Sequence, residues 1–205
     1  MLGKTGCSRL RGPCRNQLRR GGVQLCMPAP THELASAAAD IERLAAELLR
    51  LLESGRLKLA VAESCTAGLL ARHIADAPGA SAWFNGGFVT YTKDSKARVL
   101  AVAPALLRDK GAVCREVAQA MARGALRLAH ADLAVAVTGV AGPEPDEDGN
   151  PVGRVCIAVA HRGGASDAIE RRYPDNGRDG IRHCAIADAL KAAAAAARTI
   201  PDCRL

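Results

Sequence analysis

Glu63-Ser64-Cys65-Thr66 places three side chains with nucleophilic atoms in a row. The stretch follows the apolar run Leu57 to Ala62 and precedes a segment, Ala67 to Asp76, with helical spacing. A strand-to-helix junction leaves backbone N–H groups without partners, and the helix dipole there favours negative charge. Such a place suits a phosphate or a developing oxyanion. It suits ordinary helix capping by Ser or Thr as well. Ser64 is the preferred nucleophile. Cys65 ranks behind it, because the sequence gives it no evident histidine partner and small buried cysteines are common.

Two further groups could join Ser64 if the apolar strands share one sheet. In Tyr91-Thr92-Lys93-Asp94-Ser95-Lys96, a tyrosine at a strand end and a lysine five residues on could act on a serine proton. A desolvated lysine can be neutral enough to serve as a base; an exposed basic turn is the alternative. In Thr138-Gly139-Val140-Ala141-Gly142-Pro143, glycines let a backbone approach a ligand, or simply make a turn. Other chemistries lack their patterns. There is no G-x-S-x-G elbow, no S-x-x-K, no Walker or dinucleotide-binding glycine loop, no C-x-x-C pair, and HELAS at His32 is not H-E-x-x-H. No metal site is expected.

The elements that must carry these groups alternate between helical and strand patterns. A helix from Thr31 as N-cap to Ser54 bears an apolar stripe (Leu34, Ala38, Ile41, Leu44, Ala45, Leu48, Leu52). Strands are expected at Leu57 to Ala62, Gly86 to Thr92, Leu133 to Val137, Val155 to His161 and Ala168 to Tyr173. Further helices are expected at Ala67 to Asp76, from Asp94 as cap to Val102, from Pro104, at Arg115 to His130 and at Arg178 to Thr199. Residues 77–80 read as a loop and Glu144 to Pro151 as an acidic exposed one. This order predicts an α/β fold, a three-layer α/β/α domain with a mixed sheet, over residues 31–200. Four of the five aromatic residues, Trp83, Phe84, Phe88 and Tyr91, cluster beside the nucleophile candidates.

Charge and cysteine usage narrow the partners. The net charge of the 205 residues is +7, but residues 1–26 hold six basic side chains and no acidic one. Removing them leaves 22 basic against 21 acidic residues, so the remainder carries no general nucleic-acid signal. Residues 1–30 read as a disordered basic extension, either a leader without function ahead of Met27 or a targeting presequence. No run approaches the roughly 20 apolar residues that span a bilayer. Eight scattered cysteines without a signal peptide suggest reduced thiols and a cytoplasmic location.

Several separated motifs carry a resemblance. AESCTAG (Ala62 to Gly68), PGASAWFNGGFVTY (Pro78 to Tyr91), Lys96, Gly111-Ala112-Val113, DLAVAVTGVAGP (Asp132 to Pro143) and Pro151-Val152-Gly153 occur in one order over residues 33–198. In this the chain resembles the CinA C-terminal domain family, whose characterised members are nicotinamide mononucleotide deamidases. The resemblance implies hydrolysis of the carboxamide of nicotinamide mononucleotide, without metal or cofactor, by Ser64 assisted by Tyr91 and Lys96. Helix-start amides would hold the oxyanion, and Glu63, Cys65, Thr66, Thr138, Gly139, Gly142 and Arg178 would line the substrate site, Thr138-Gly139 and Arg178 near the phosphate. It implies a stand-alone enzyme that forms a homodimer or higher homo-oligomer. The rival implication is a catalytically silent interaction or dimerisation module tied to competence or DNA repair. The chain departs from the family at Ala67, where glycine is usual, at Cys114, where serine is usual, at Lys93, where a small polar residue is common, and in the acidic loop after Gly142.

Overall fold

The computed structural model describes residues 32–164 and 166–200, with the side chains of 32–37 excepted. The basic extension and the Thr31 cap expected from sequence lie outside the described residues. The elements run α1 (His32–Ser54), β1 (Leu59–Glu63), α2 (Leu69–Asp76), α3 (Ala80–Trp83), β2 (Phe84–Val89), α4 (Lys93–Leu100), α5 (Pro104–Lys110), α6 (Arg115–Leu128), β3 (Leu133–Gly139), β4 (Arg154–His161), β5 (Asp167–Arg172) and α7 (Gly177–Thr199).

The five strands form one mixed sheet in the order β2-β1-β3-β4-β5. Strands β2, β1 and β3 are parallel, and β4 and β5 add on antiparallel. Cross-strand pairing keeps side chains of one size on one face. Val61 pairs with Val135 and Val135 with Val159, while Ala62 pairs with Ala136 and Ala136 with Ala158. One face therefore presents Leu59, Val61, Leu133, Val135, Val137, Val155 and Ile157, and these pack with buried residues of α1, α2 and α7. The other presents Ala60, Ala62, Ala134, Ala136, Cys156, Ala158 and Ala160 to α4, α5 and α6. Small residues on that face let α6 lie close to the sheet. Its Gly124 meets the end of α4 so closely that a Cβ would strike the Leu100 carbonyl.

Several boundaries differ from the sequence reading, each for a local reason. Helix α4 starts after Thr92, not Asp94: Thr92 Oγ1 accepts from Ser95 N at 3.1 Å and Ser95 Oγ accepts from Thr92 N at 3.0 Å, a complete capping box. Asp94 instead pairs with Arg98 at 2.9 Å. The four-residue α3 starts at the last residue of the expected loop 77–80 and covers residues to which the sequence assigned no element, being too short to show a period. Strand β2 is a half-exposed edge that starts at Phe84 and ends at Val89, so Tyr91 lies beyond it. Parallel order then brings the carboxyl ends of β1, β2 and β3 to the same end of the sheet. In open α/β sheets that end is where ligands sit.

Candidate active site

Ser64 is the first residue past β1, and its amide still donates to Val137 O of β3 at 3.0 Å. The chain then turns sharply, with Ala67 at φ 53° and Gly68 at φ 95°, before α2 begins at Leu69. The fully buried carboxylate of Glu63 stabilises this elbow. It accepts from Gly68 N at 2.9 Å, Leu70 N at 3.1 Å and Ala71 N at 2.8 Å. These are amides that a helix start leaves unpaired, and a negative charge is favourable there. They are thus taken by Glu63 and are not free to hold an oxyanion. The amides of Cys65 and Thr66 donate to no acceptor among the described residues.

Lys96 reaches the elbow from the first turn of α4 and is fully buried. Its Nζ lies 2.9 Å from Ser64 Oγ, 2.8 Å from Thr90 O and 3.4 Å from Tyr91 O. A neutral amine has two hydrogens and one lone pair. The two carbonyls can take the hydrogens, which leaves the lone pair for the serine hydroxyl. Burial supports that neutral form, lowering the lysine from 10.5 to about 8, while negative charge on Cys65 would act the other way. The Cys65 thiol itself is pushed up to about 11 by burial, so it is held as a thiol rather than a nucleophilic thiolate. The fold thus brings the Ser64 hydroxyl and the Lys96 amine within hydrogen-bond distance.

Ser64, Cys65, Tyr91, Lys96, Thr138, Gly139, Gly142 and Arg178 line one cleft of about 380 Å³. Glu63 and Thr66 do not line it: Glu63 is inside the α2 start, and Thr66 is fully buried with its hydroxyl unpartnered. The phenol of Tyr91 accepts from Arg178 Nη2 at 3.0 Å and makes no hydrogen bond to Lys96, while Arg178 Nη1 donates to Gly142 O. Tyr91 therefore gives Lys96 only a main-chain carbonyl. The Thr138 hydroxyl donates to Ala112 O at 2.9 Å, and Thr138 is 1% exposed, so it braces the wall. Gly139 is required by strand packing, since a Cβ would come within 2.7 Å of Arg154 O. Lys93, Ala112, Val113 and the acidic loop also line the cleft; the sequence marked them as a motif or as departures from the family, but not as site residues. Two further hollows of about 430 and 440 Å³ are slightly larger but lack this pair, so size does not locate the chemistry.

Among the described residues no group of three His, Cys, Asp or Glu could hold a metal, and no helix is long and apolar enough to cross a membrane. The four described cysteines Cys65, Cys114, Cys156 and Cys184 are free thiols.

The model of one family, the CinA C-terminal domain, matches residues 41–196. A CinA-like protein of Geobacter sulfurreducens is 50% identical over 141 residues, which are 69% of this chain and 34% of that protein. The chain thus spans about a third of the length of such curated relatives. Solved structures are covered almost fully. The competence/damage inducible protein CihA of Agrobacterium tumefaciens is 42% identical with a TM-score of 0.73, over 78% of this chain and 96% of that one. A CinA superfamily protein of Klebsiella pneumoniae is 32% identical with a TM-score of 0.75, over 78% and 99%.

Proposed function

The chain belongs to the CinA C-terminal domain family, and from that premise we propose that it hydrolyses the carboxamide of nicotinamide mononucleotide to nicotinate mononucleotide and ammonia. The observation that carries this reading is the buried Lys96 Nζ, 2.9 Å from Ser64 Oγ, with burial lowering the amine to about 8. Ser64 Oγ attacks the amide carbon as its proton passes to Lys96. The amides of Cys65 and Thr66 are the donors left for the developing oxyanion. Lys96 then returns the proton to the departing nitrogen as the C–N bond breaks. Water, deprotonated by the same amine, opens the ester on Ser64.

Recognition of the rest of the substrate falls to Arg178. Two of its five N–H groups bond Tyr91 and Gly142, and three remain for a phosphate. Nothing in these steps requires a cofactor.

The test is release of ammonia and nicotinate mononucleotide from nicotinamide mononucleotide by wild type and Ser64→Ala. Loss of the nucleophile should lower the rate on the order of a thousandfold or more. No release by the wild type would overturn the assignment and favour a silent interaction module.

A further inference from the structure

The acidic loop at the mouth of the cleft is held in shape by its own residues. Asp146 Oδ1 accepts from Asp148 N at 3.1 Å and Asn150 N at 2.7 Å, and Asp146 Oδ2 accepts from Asn150 Nδ2 at 2.7 Å. Asp146 N closes the turn on Asn150 O at 3.2 Å. This internal frame fixes the direction of Asp148, whose carboxylate leaves the loop and seats elsewhere. Its Oδ1 lies 2.6 Å from Lys93 Nζ, at the start of α4. Its Oδ2 accepts from Ala112 N at 3.1 Å. Glu147 Oε1 lies 3.0 Å from the same lysine.

The seat is shaped to receive Asp148. Gly111 sits at φ +73°, and a Cβ on it would lie 2.5 Å from Asp148 Oδ2. The carbonyl of Ala112 is held from the cleft wall by Thr138. A missing side chain, a main-chain amide and an ammonium thus converge on one carboxylate. Lys93, Ala112 and Asp148 line the same cleft as Ser64 and Lys96.

We propose that the Lys93–Asp148 clasp is a specificity strap that restricts Ser64 to mononucleotide-sized amides and excludes dinucleotides bearing the same carboxamide. The proposal rests on the amidohydrolase reading of Ser64. The cleft, at about 380 Å³, falls near the small end of the ~300–1,000 Å³ range of ligand pockets. Charge acts in the same direction. The ammonium of Lys93 is already matched by Asp148 and Glu147. The second phosphate of a dinucleotide would meet these carboxylates and not a free ammonium. The single phosphate of a mononucleotide can use Arg178 and avoid the mouth.

The experiment compares the full chain with Lys93→Ser, Asp148→Ser and the double variant. The readout is kcat/KM for nicotinamide adenine dinucleotide relative to nicotinamide mononucleotide. The ratio should rise about tenfold in the double variant, and nearly as much in either single one, since losing one partner opens the clasp. An unchanged ratio overturns the proposal. Asp148→Asn keeps an acceptor for Ala112 N and separates loss of the charge from loss of the seat. Sulfonylation of Ser64 by phenylmethanesulfonyl fluoride, followed by mass, provides an arm that needs no nucleotide. It should quicken at least about threefold in the double variant as the mouth opens. Equal rates, including none in either protein, overturn the strap. Faster labelling with no ammonia from either nucleotide overturns the mononucleotide assignment and the amidohydrolase reading together, and retains the strap only as a wall.

Discussion

Replacing Lys96 with methionine should stabilise the protein at neutral pH while abolishing its chemistry. The side chain is fully buried and has two carbonyls and a hydroxyl for company, with no carboxylate among its hydrogen-bond partners. Its pKa falls from 10.5 to about 8. At about 1.36 kcal/mol per unit, a charged Lys96 costs the folded state about 3 kcal/mol. A folded pKa below the unfolded one means that the unfolded chain holds more protons between the two values, so stability rises with pH across that window. Below pH 8 both states are charged and the whole penalty applies. Methionine removes the penalty and the titration but takes a donor from Thr90 O and Tyr91 O, a loss of about 1–2 kcal/mol. The net gain at pH 7 is about 1–2 kcal/mol, or roughly 2–8 °C in Tm for a chain of this size. Between pH 7 and pH 10 the wild type should recover about 2.5 kcal/mol relative to the variant, enough to reverse the order of stability. Urea unfolding of both proteins at the two pH values measures this. Parallel pH profiles would refute the claim that Lys96 is a desolvated amine.

The elbow and the helix caps give three further outcomes. Ala67 holds φ 53°, a conformation that costs an L residue about 1–2 kcal/mol, whereas glycine loses only the extra entropy of its unfolded chain. Ala67→Gly should therefore raise stability by about 0.5–1 kcal/mol, read by urea denaturation, and a lower midpoint would contradict it. Cys114 is the N-cap of α6, in extended backbone and without a side-chain cap bond. Cys114→Ser should gain about 1 kcal/mol by supplying the missing acceptor, and thermal unfolding will show no rise if the cap is irrelevant. Glu63→Gln keeps the shape but turns an amide nitrogen toward backbone N–H groups, so it should cost about 2–3 kcal/mol. An unaltered unfolding midpoint would show that the carboxylate does not organise the start of α2.

The layered fold was legible because its signals are local and periodic. The stripe through Ile41, Leu44, Leu48 and Leu52 specifies a helix with one buried face, and the apolar run through Leu59-Ala60-Val61-Ala62 specifies a buried strand; both are buried as their patterns imply. Ser64 and Lys96 stood out because each falls at the end of a recognisable element, and the parallel order of β1 and β2 then brings them together. Side-chain partners across long sequence separations were not legible. Tyr91 and Arg178 are 87 residues apart, and only the folded chain shows that the phenol turns to the guanidinium. Lys93 and Asp148 are 55 apart. Each was visible as a departure from the family pattern, but their contact was not. Glu63 was misleading for a different reason. A carboxylate beside a nucleophile suggests a substrate contact, but here it serves the backbone of its own turn. Cys114 was visible as a departure, and the structure locates it at the N-cap of α6.

The proposed hydrolysis hinges on Lys96 taking the proton of Ser64 as a neutral amine. The direct measurement is the pH dependence of ammonia release from nicotinamide mononucleotide by the wild type, with Ser64→Ala as the blank. The account predicts kcat/KM that climbs tenfold per pH unit below about 8, the value to which burial brings Lys96, and levels off above it. A profile flat from pH 6 to pH 9, or one that survives intact in Ser64→Ala, would contradict it.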